Sequence, residues 1–198
     1  MMVGRRAPSP RGAKRRRRLG PPSALVAAAA TVVVGFGVVV AVNPEARPSG
    51  AEPAVVAQPQ GIAPAFDLAS VTTGGPVDLG LAQGRPVVLS FFASWCSSCR
   101  QELGTVASLA RASGSSVQVI GIDVNDESSV ARKLLADNHI SYPVGADGED
   151  VVASRYRLVG LPTTVFLDAR HRVAGRVVGP LTAPAGRAWV AGLERPAA

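Results

Sequence analysis

Cys96 and Cys99 stand three residues apart in the run Trp95-Cys96-Ser97-Ser98-Cys99, and they are the only cysteines among 198 residues. They follow the apolar run Val87-Val88-Leu89-Ser90-Phe91-Phe92 and open a stretch, Arg100 to Ala112, that reads as a helix. Thiols three apart at a helix start lie on one side of its first turn, where they can close a disulfide or trade it with another protein. A zinc site would need about two more ligands. The chain offers only His139 and His171, far apart in sequence, so no metal is expected. A structural staple would close too short a loop to add much stability. Free cysteines are often buried and inert, but that reading leaves their shared place at one strand-to-helix junction unexplained. The pattern points to a thiol–disulfide redox centre, which needs no cofactor.

The two ends of the chain differ sharply in charge. Residues 1–20 hold eight of the 21 basic residues and no acid. The other 13 face all 14 acids, so the remainder carries a formal −1 against +7 for the whole chain. The high overall charge belongs to a tail and gives no reason to expect nucleic acid. Ala24 to Val42 is a run of 19 residues without a charged side chain, about 28 Å long as a helix and close to the bilayer's hydrocarbon thickness. The preceding basic cluster predicts that the N-terminus stays cytoplasmic and that the rest of the chain is translocated. A cleaved signal peptide is the alternative, but its apolar region is usually shorter and its cleavage site comes after that region. Here the candidate site, Val39-Val40-Ala41, lies inside it. The expected organisation is a basic tail over 1–23, a transmembrane signal-anchor over 24–42, a Pro-rich linker over 43–64 and a globular domain over 65–198 on the extracytoplasmic side. The linker's five prolines predict a semi-extended tether.

Within the domain, Phe66-Asp67-Leu68 and Val77-Asp78-Leu79 flank Gly74-Gly75-Pro76 and suggest a short strand pair. Val87 to Phe92 and Val117 to Val124 are continuous enough in apolar residues to be buried strands. Asn125 or Asp126 can cap a helix through Val130, Leu134 and Leu135. Tyr142-Pro143-Val144 reads as an edge strand or extended piece and Val151 to Arg157 as a brief helix. Thr163 to Leu167 and Arg172 to Val178 form a last hairpin before a final helix through Ala188, Trp189, Val190 and Leu193. Strand and helix patterns alternate first and a hairpin comes later, so the expected fold class is an α/β three-layer sandwich with a mixed sheet.

Three stretches carry a resemblance: Phe91-Phe92-Ala93-Ser94-Trp95-Cys96-x-x-Cys99-Arg100-Gln101-Glu102, Val159-Gly160-Leu161-Pro162-Thr163-Thr164-Val165-Phe166-Leu167-Asp168, and Val178-Gly179-Pro180. Over roughly residues 62–195 the chain resembles the thioredoxin fold and, more narrowly, the membrane-anchored TlpA/ResA-like thiol–disulfide oxidoreductases. The resemblance implies partners that are extracytoplasmic, disulfide-bearing proteins, apocytochrome c among them, and a membrane thiol donor that resets the cysteines. It implies a reductive role, with disulfide formation in secreted proteins as the alternative. One position departs from the family. Pro usually precedes the second cysteine, and here it is Ser98, so the family's redox potential does not carry over. Small polar residues there can donate hydrogen bonds to a thiolate and favour a lowered Cys96 pKa.

Cys96, first at the helix start, is the expected nucleophile, because unsatisfied N–H groups and the helix dipole favour its thiolate. Cys99 then resolves the mixed disulfide. Glu102 follows Cys99 by three residues on the same side of the helix, and the resemblance makes it an active-site carboxylate that accepts the Cys99 proton. The alternative is an ordinary solvated helix glutamate. Pro162 resembles the fold's cis-proline, with Leu161 and Thr163 flanking a substrate groove. Trp95 belongs either to the lip around Cys96 or to the edge of the core, and Arg100 reads as a solvated helix residue. Peroxidases of related fold need Pro-x-x-x-Thr-x-x-Cys, and Leu89 and Ala93 occupy those places. Copper metallochaperones of the fold separate their cysteines by three residues rather than two.

Overall fold

The computed structural model describes residues 54–56, 60–72, 74–82 and 84–195. The basic tail and the apolar span expected over 24–42 lie outside these residues. Among those described, no helix is long and apolar enough to cross a membrane.

The central strand is β5 (Val87–Phe92), buried along its whole length. Alternation splits its side chains between two faces. Val88 and Phe92 enter one apolar cluster, while Val87, Leu89 and Phe91 enter the other. From β5 the chain enters α1 (Ser97–Ser113) and returns as β6 (Gln118–Val124), parallel to β5. It then crosses through α2 (Ser128–Asp137) to β7 (Val144–Asp147), parallel to β6 at the sheet's edge. Two crossovers of the same hand in the same direction place both helices on one face, and Leu103, Ala131 and Leu135 share the first cluster. After the short α3 (Val151–Arg155), β8 (Thr163–Leu167) and β9 (Arg172–Val178) extend the other side of β5 antiparallel. The closing helix α4 (Ala183–Leu193) adds Val190 to the first cluster. The second face is covered by α3 through Val152 and Ala153, and by Val77 of a separate hairpin. That hairpin pairs β3 (Asp67–Leu68) with β4 (Val77–Asp78). The result is the three-layer sandwich with a mixed sheet.

Several boundaries differ from the expectation, each for a local reason. The segment taken as a linker contributes β1 (Ala54–Val56) and β2 (Gln60–Ile62), both antiparallel to β9. Val55 and Val56 are β-branched, and β9 offers an otherwise unpaired edge. The domain's sheet therefore begins before residue 65. Helix α1 starts at Ser97 rather than Arg100, because Cys96 is itself the N-cap, in an extended conformation. Helix α2 is entered through Glu127, which makes no side-chain cap bond. Asn125 and Asp126 do not cap it, since the Asp126 carboxylate is turned to Ser94 and to the Glu127 N–H. The edge strand lies at Val144–Asp147 rather than 142–144, because Pro143 lacks the N–H that a ladder requires.

Candidate functional site

The redox pair sits where β5 ends and α1 begins. Cys96 and Cys99 are joined in a disulfide, with their Cα atoms 5.2 Å apart. The Cys99 N–H points at Cys96 Sγ at 3.2 Å, and the Ser98 hydroxyl lies 3.4 Å from the same sulfur. Cys96 Sγ thus fills the place of an N-cap acceptor, where the first-turn N–H groups and the helix dipole favour negative charge. Cys96 is 8% exposed and Cys99 1%, so an incoming sulfur has access to Cys96 alone.

Behind the pair, α1 turns Glu102 inward. Glu102 is 4% exposed, which removes the solvated-glutamate reading. Its Oε1 accepts from the Thr164 hydroxyl at 3.2 Å, and its Oε2 accepts from the Leu181 N–H at 2.8 Å. Burial pushes its carboxyl above the usual carboxylate range, partly opposed by the Leu181 and Thr164 hydrogen bonds. Tyr142, buried in the same cluster, is raised by burial and by the charge of Glu102. The result is a carboxyl that holds its proton more tightly than a surface acid, on the cysteine-bearing helix.

The other expected residues fall around this junction with differing access. Trp95 is 61% exposed, and its indole N–H donates to the Asn125 carbonyl at 3.0 Å. Its exposure removes it from the core edge. The Leu161–Pro162 peptide bond is cis. The Pro162 carbonyl accepts the Gly179 N–H at 2.9 Å, and Thr163 is buried with its hydroxyl on the Gly160 carbonyl at 2.7 Å. Leu161 is half-buried and packs against the cluster that contains both cysteines. A depression of about 270 Å³ is lined by Trp95, Val124, Asn125, Ala153, Leu158 and Leu161, among others. The side chain of Thr163 is not available to such a groove.

Three residues near the junction, Ser94, Asp126 and Arg100, make contacts that the sequence pattern does not disclose. Asp126 accepts from both the Ser94 N–H and its hydroxyl, the latter at 2.8 Å. Arg100, expected to be merely solvated, donates to the Ser94 carbonyl at 2.7 Å. Asp123, on β6, is 1% exposed. Its place in the apolar run Val117 to Val124 was the available signal, since a lone acid in a buried strand is costly unless partnered. Among the described residues no group of His, Cys, Asp and Glu is placed to hold a metal ion.

Comparison with known proteins agrees with this geometry. A sequence profile described as the AhpC/TSA family matches residues 59–176. The thiol:disulfide interchange protein HelX of Rhodobacter capsulatus is 30% identical over 122 residues, covering 61% of this chain and 68% of HelX. The thiol-disulfide oxidoreductase ResA of Bacillus subtilis is 26% identical over 112 residues, covering 56% of this chain and 63% of ResA. Among solved structures, a thiol:disulfide interchange protein DsbE from Chlorobium tepidum superposes with a TM-score of 0.64 at 27% identity, over 69% of this chain and 98% of that one. With the family profile spanning more than half its length and a disulfide-bonded Cys-x-x-Cys at the head of α1, the chain belongs to the AhpC/TSA family and, within it, to the thiol–disulfide oxidoreductases.

Proposed function

We propose that the protein is a membrane-anchored reductant of disulfides in translocated proteins, held by the apolar segment 24–42 with its domain on the extracytoplasmic side. The observation that carries the exchange chemistry is Cys96 Sγ at the N-cap of α1, with the Cys99 N–H directed at it. In the reduced protein, the Cys96 thiolate attacks one sulfur of a partner disulfide, and the other leaves as a thiolate that takes up a proton. Cys99 then loses its proton to Glu102, attacks Cys96 Sγ and releases the second partner thiol. The partner gains two electrons, and the Cys96–Cys99 bond forms. Resetting requires a membrane thiol donor that performs the reverse exchange. Trp95, Leu161 and the Pro162–Thr163 backbone would form the walls against which the partner segment lies. HelX and DsbE are named for thiol:disulfide interchange, and apocytochrome c is the partner that the family resemblance suggests.

Trapping tests this directly. Cys99→Ser should hold partners as mixed disulfides on Cys96, identified by mass spectrometry after non-reducing electrophoresis. Equal trapping by Cys96→Ser would overturn the assignment of attacking and resolving thiols. A reduction potential near the about −270 mV of thioredoxin supports reduction, and one near the about −120 mV of a strong oxidant supports disulfide formation instead.

A further inference from the structure

Arginines gather on the edge of the sheet where the tether enters the domain, and the exchange chemistry uses none of them. A depression of about 190 Å³ is lined by Gly61 and Ile62 of β2, Arg155 and Arg157 at the end of α3, and Val173 and Arg176 of β9, among others, and no acid lines it. Arg155 Nη1 donates to the Ala65 carbonyl at 3.3 Å, and Arg176 Nη1 to the Arg157 carbonyl at 3.3 Å. A guanidinium carries a fork of several N–H donors, so each keeps others for a ligand. The Arg157 side chain has no hydrogen bond or ion pair among the described residues, where Lys133–Asp137 is the only salt bridge.

Like charges gathered without a counter-charge repel one another and favour the approach of an anion. Their placement also strains the backbone. Arg157 is left-handed at φ 53 and closes α3, with its N–H on the Ser154 carbonyl at 2.9 Å and the Leu158 N–H on the Ala153 carbonyl at 3.1 Å. Glycine usually fills such a position. Here it presents a guanidinium at the rim of the depression.

The arginine fork matches the oxygens of a phosphate, and two features put that phosphate on a bilayer. Ile62, in the same depression, is 76% exposed. An apolar side chain beside cations suits the boundary between headgroups and acyl chains. The strands β1 and β2 follow the apolar segment 24–42, and both pair with β9, with Val56 opposite Arg176 and Ile62 opposite Arg172. Residues 43–53 span at most about 40 Å when extended, which keeps the arginines at high effective concentration near the surface. We propose that Arg155, Arg157 and Arg176 bind the phosphate headgroup of an anionic phospholipid and dock this side of the domain on the bilayer. This rests on the anchored reading of residues 24–42. The docked side leaves the exchange site uncovered. Thr163 pairs with Phe91 at the end of β5 that leads to Cys96, whereas Val173, which lines the depression, is in register with Leu167 and Val87 at the other end.

The test uses the full-length chain reconstituted into vesicles of phosphatidylcholine alone or mixed equally with phosphatidylglycerol. Phenylglyoxal labels accessible arginines, and mass spectrometry reads each one after digestion. In the anionic vesicles, labelling of Arg155, Arg157 and Arg176 should fall about fivefold, the usual size of the surface attraction for one basic residue. Arg111 of α1 and Arg187 of α4, exposed on helices of the opposite face, should label equally in both. Arg157→Gln should restore most of the Arg155 labelling. If that variant does not fold, the unsubstituted chain decides. Inorganic phosphate, added to the chain in neutral vesicles, should protect the three arginines less than the anionic vesicles do. Equal labelling in the two vesicle types, equal protection of Arg111 and Arg187, or unchanged Arg155 protection in a folded Arg157→Gln overturns the proposal. Protection by inorganic phosphate that matches the anionic vesicles also overturns it and assigns the arginines to a free anion. A chain that alkaline carbonate strips from the vesicles, yet whose three arginines were protected before extraction, loses the anchored reading and keeps the lipid site. One that resists carbonate and labels equally in both vesicle types keeps its anchor and loses the site.

Discussion

The carboxylate of Glu102 on α1 and the hydroxyl of Thr164 on β8 meet at 3.2 Å inside the layer that α1 buries against the sheet, with the Leu181 N–H closing the other carboxylate oxygen at 2.8 Å. Thr164 stands beside Ser90 in the register of β5 with β8. The acid thus reaches this layer from the helix and not from the central strand, where Ser90 offers no carboxyl. Burial is the largest influence on Glu102 and raises its pKa.

Glu102→Gln tests both consequences of that burial. The folded-state pKa lies above the ordinary value of 4.5, so the folded chain holds this proton more tightly than the unfolded chain. The associated stability is present below that ordinary value and is lost as pH rises through the folded pKa. Gln keeps an acceptor for Leu181 and a group for Thr164 but does not titrate. The decline of Tm with rising pH should be shallower in the variant, as measured by thermal unfolding across a pH series. In the role proposed for it, accepting the Cys99 proton, Glu102 should also matter kinetically. Resolution of the mixed disulfide should slow about a hundredfold, within the usual range for a lost general base. An unchanged resolution rate beside a flattened Tm profile would leave Glu102 a structural acid only.

The Ser98 hydroxyl, 3.4 Å from Cys96 Sγ, gives a separate handle on the thiolate. A hydrogen bond to a charged acceptor contributes about 1.5–3 kcal/mol, and one pKa unit corresponds to about 1.4 kcal/mol. Ser98→Ala should therefore raise the Cys96 pKa by about one unit and lower the thiolate fraction at neutral pH by up to about tenfold. The check is ultraviolet thiolate absorbance against pH in the Cys99→Ser background, so that one thiol is read. A pKa unmoved by the substitution would mean that the Cys99 N–H and the helix terminus hold the thiolate without Ser98.

The sequence made the layered fold and the redox pair legible because both rest on local pattern. The apolar run of β5, the Cys-x-x-Cys at its end and the Gly-Leu-Pro-Thr-Thr stretch each carry their meaning within a few residues. What escaped was long-range and polar. Asp126 looked like a helix cap because an acid before Ser128 fits that pattern, and nothing local reveals that Ser94, 32 residues away, offers two better donors. Glu102 could be placed on the correct side of α1 by spacing, but its burial depends on Thr164 and on the chain entering α4 at Leu181. Trp95 stayed undecided between lip and core because its indole N–H donates to a backbone carbonyl, which no side-chain pattern encodes. The strands at 54–56 and 60–62 were hidden by prolines that suggested a tether, although they pair with β9 as edge strands that prolines readily flank.

Gly175 on β9 supplies the sharpest packing test. A Cβ there would fall 2.2 Å from the Trp189 ring carbon Cη2 and 2.9 Å from its neighbour Cζ3. The ring cannot easily retreat, because it stacks on Phe166 with centroids 4.7 Å apart and planes 9° from parallel. Gly175→Ala should destabilise the domain by about 1–3 kcal/mol, the usual range for overpacking a well-filled core. Urea denaturation would show this as a lowered midpoint. Trp189→Leu costs stability alone by losing the stack, but it also empties the space that the new methyl needs. The double variant should therefore be more stable than the sum of the two single losses, with a coupling of about 0.5–3 kcal/mol. Strict additivity would mean that the strand moves to accept the methyl, and that Trp189 is not what keeps residue 175 a glycine.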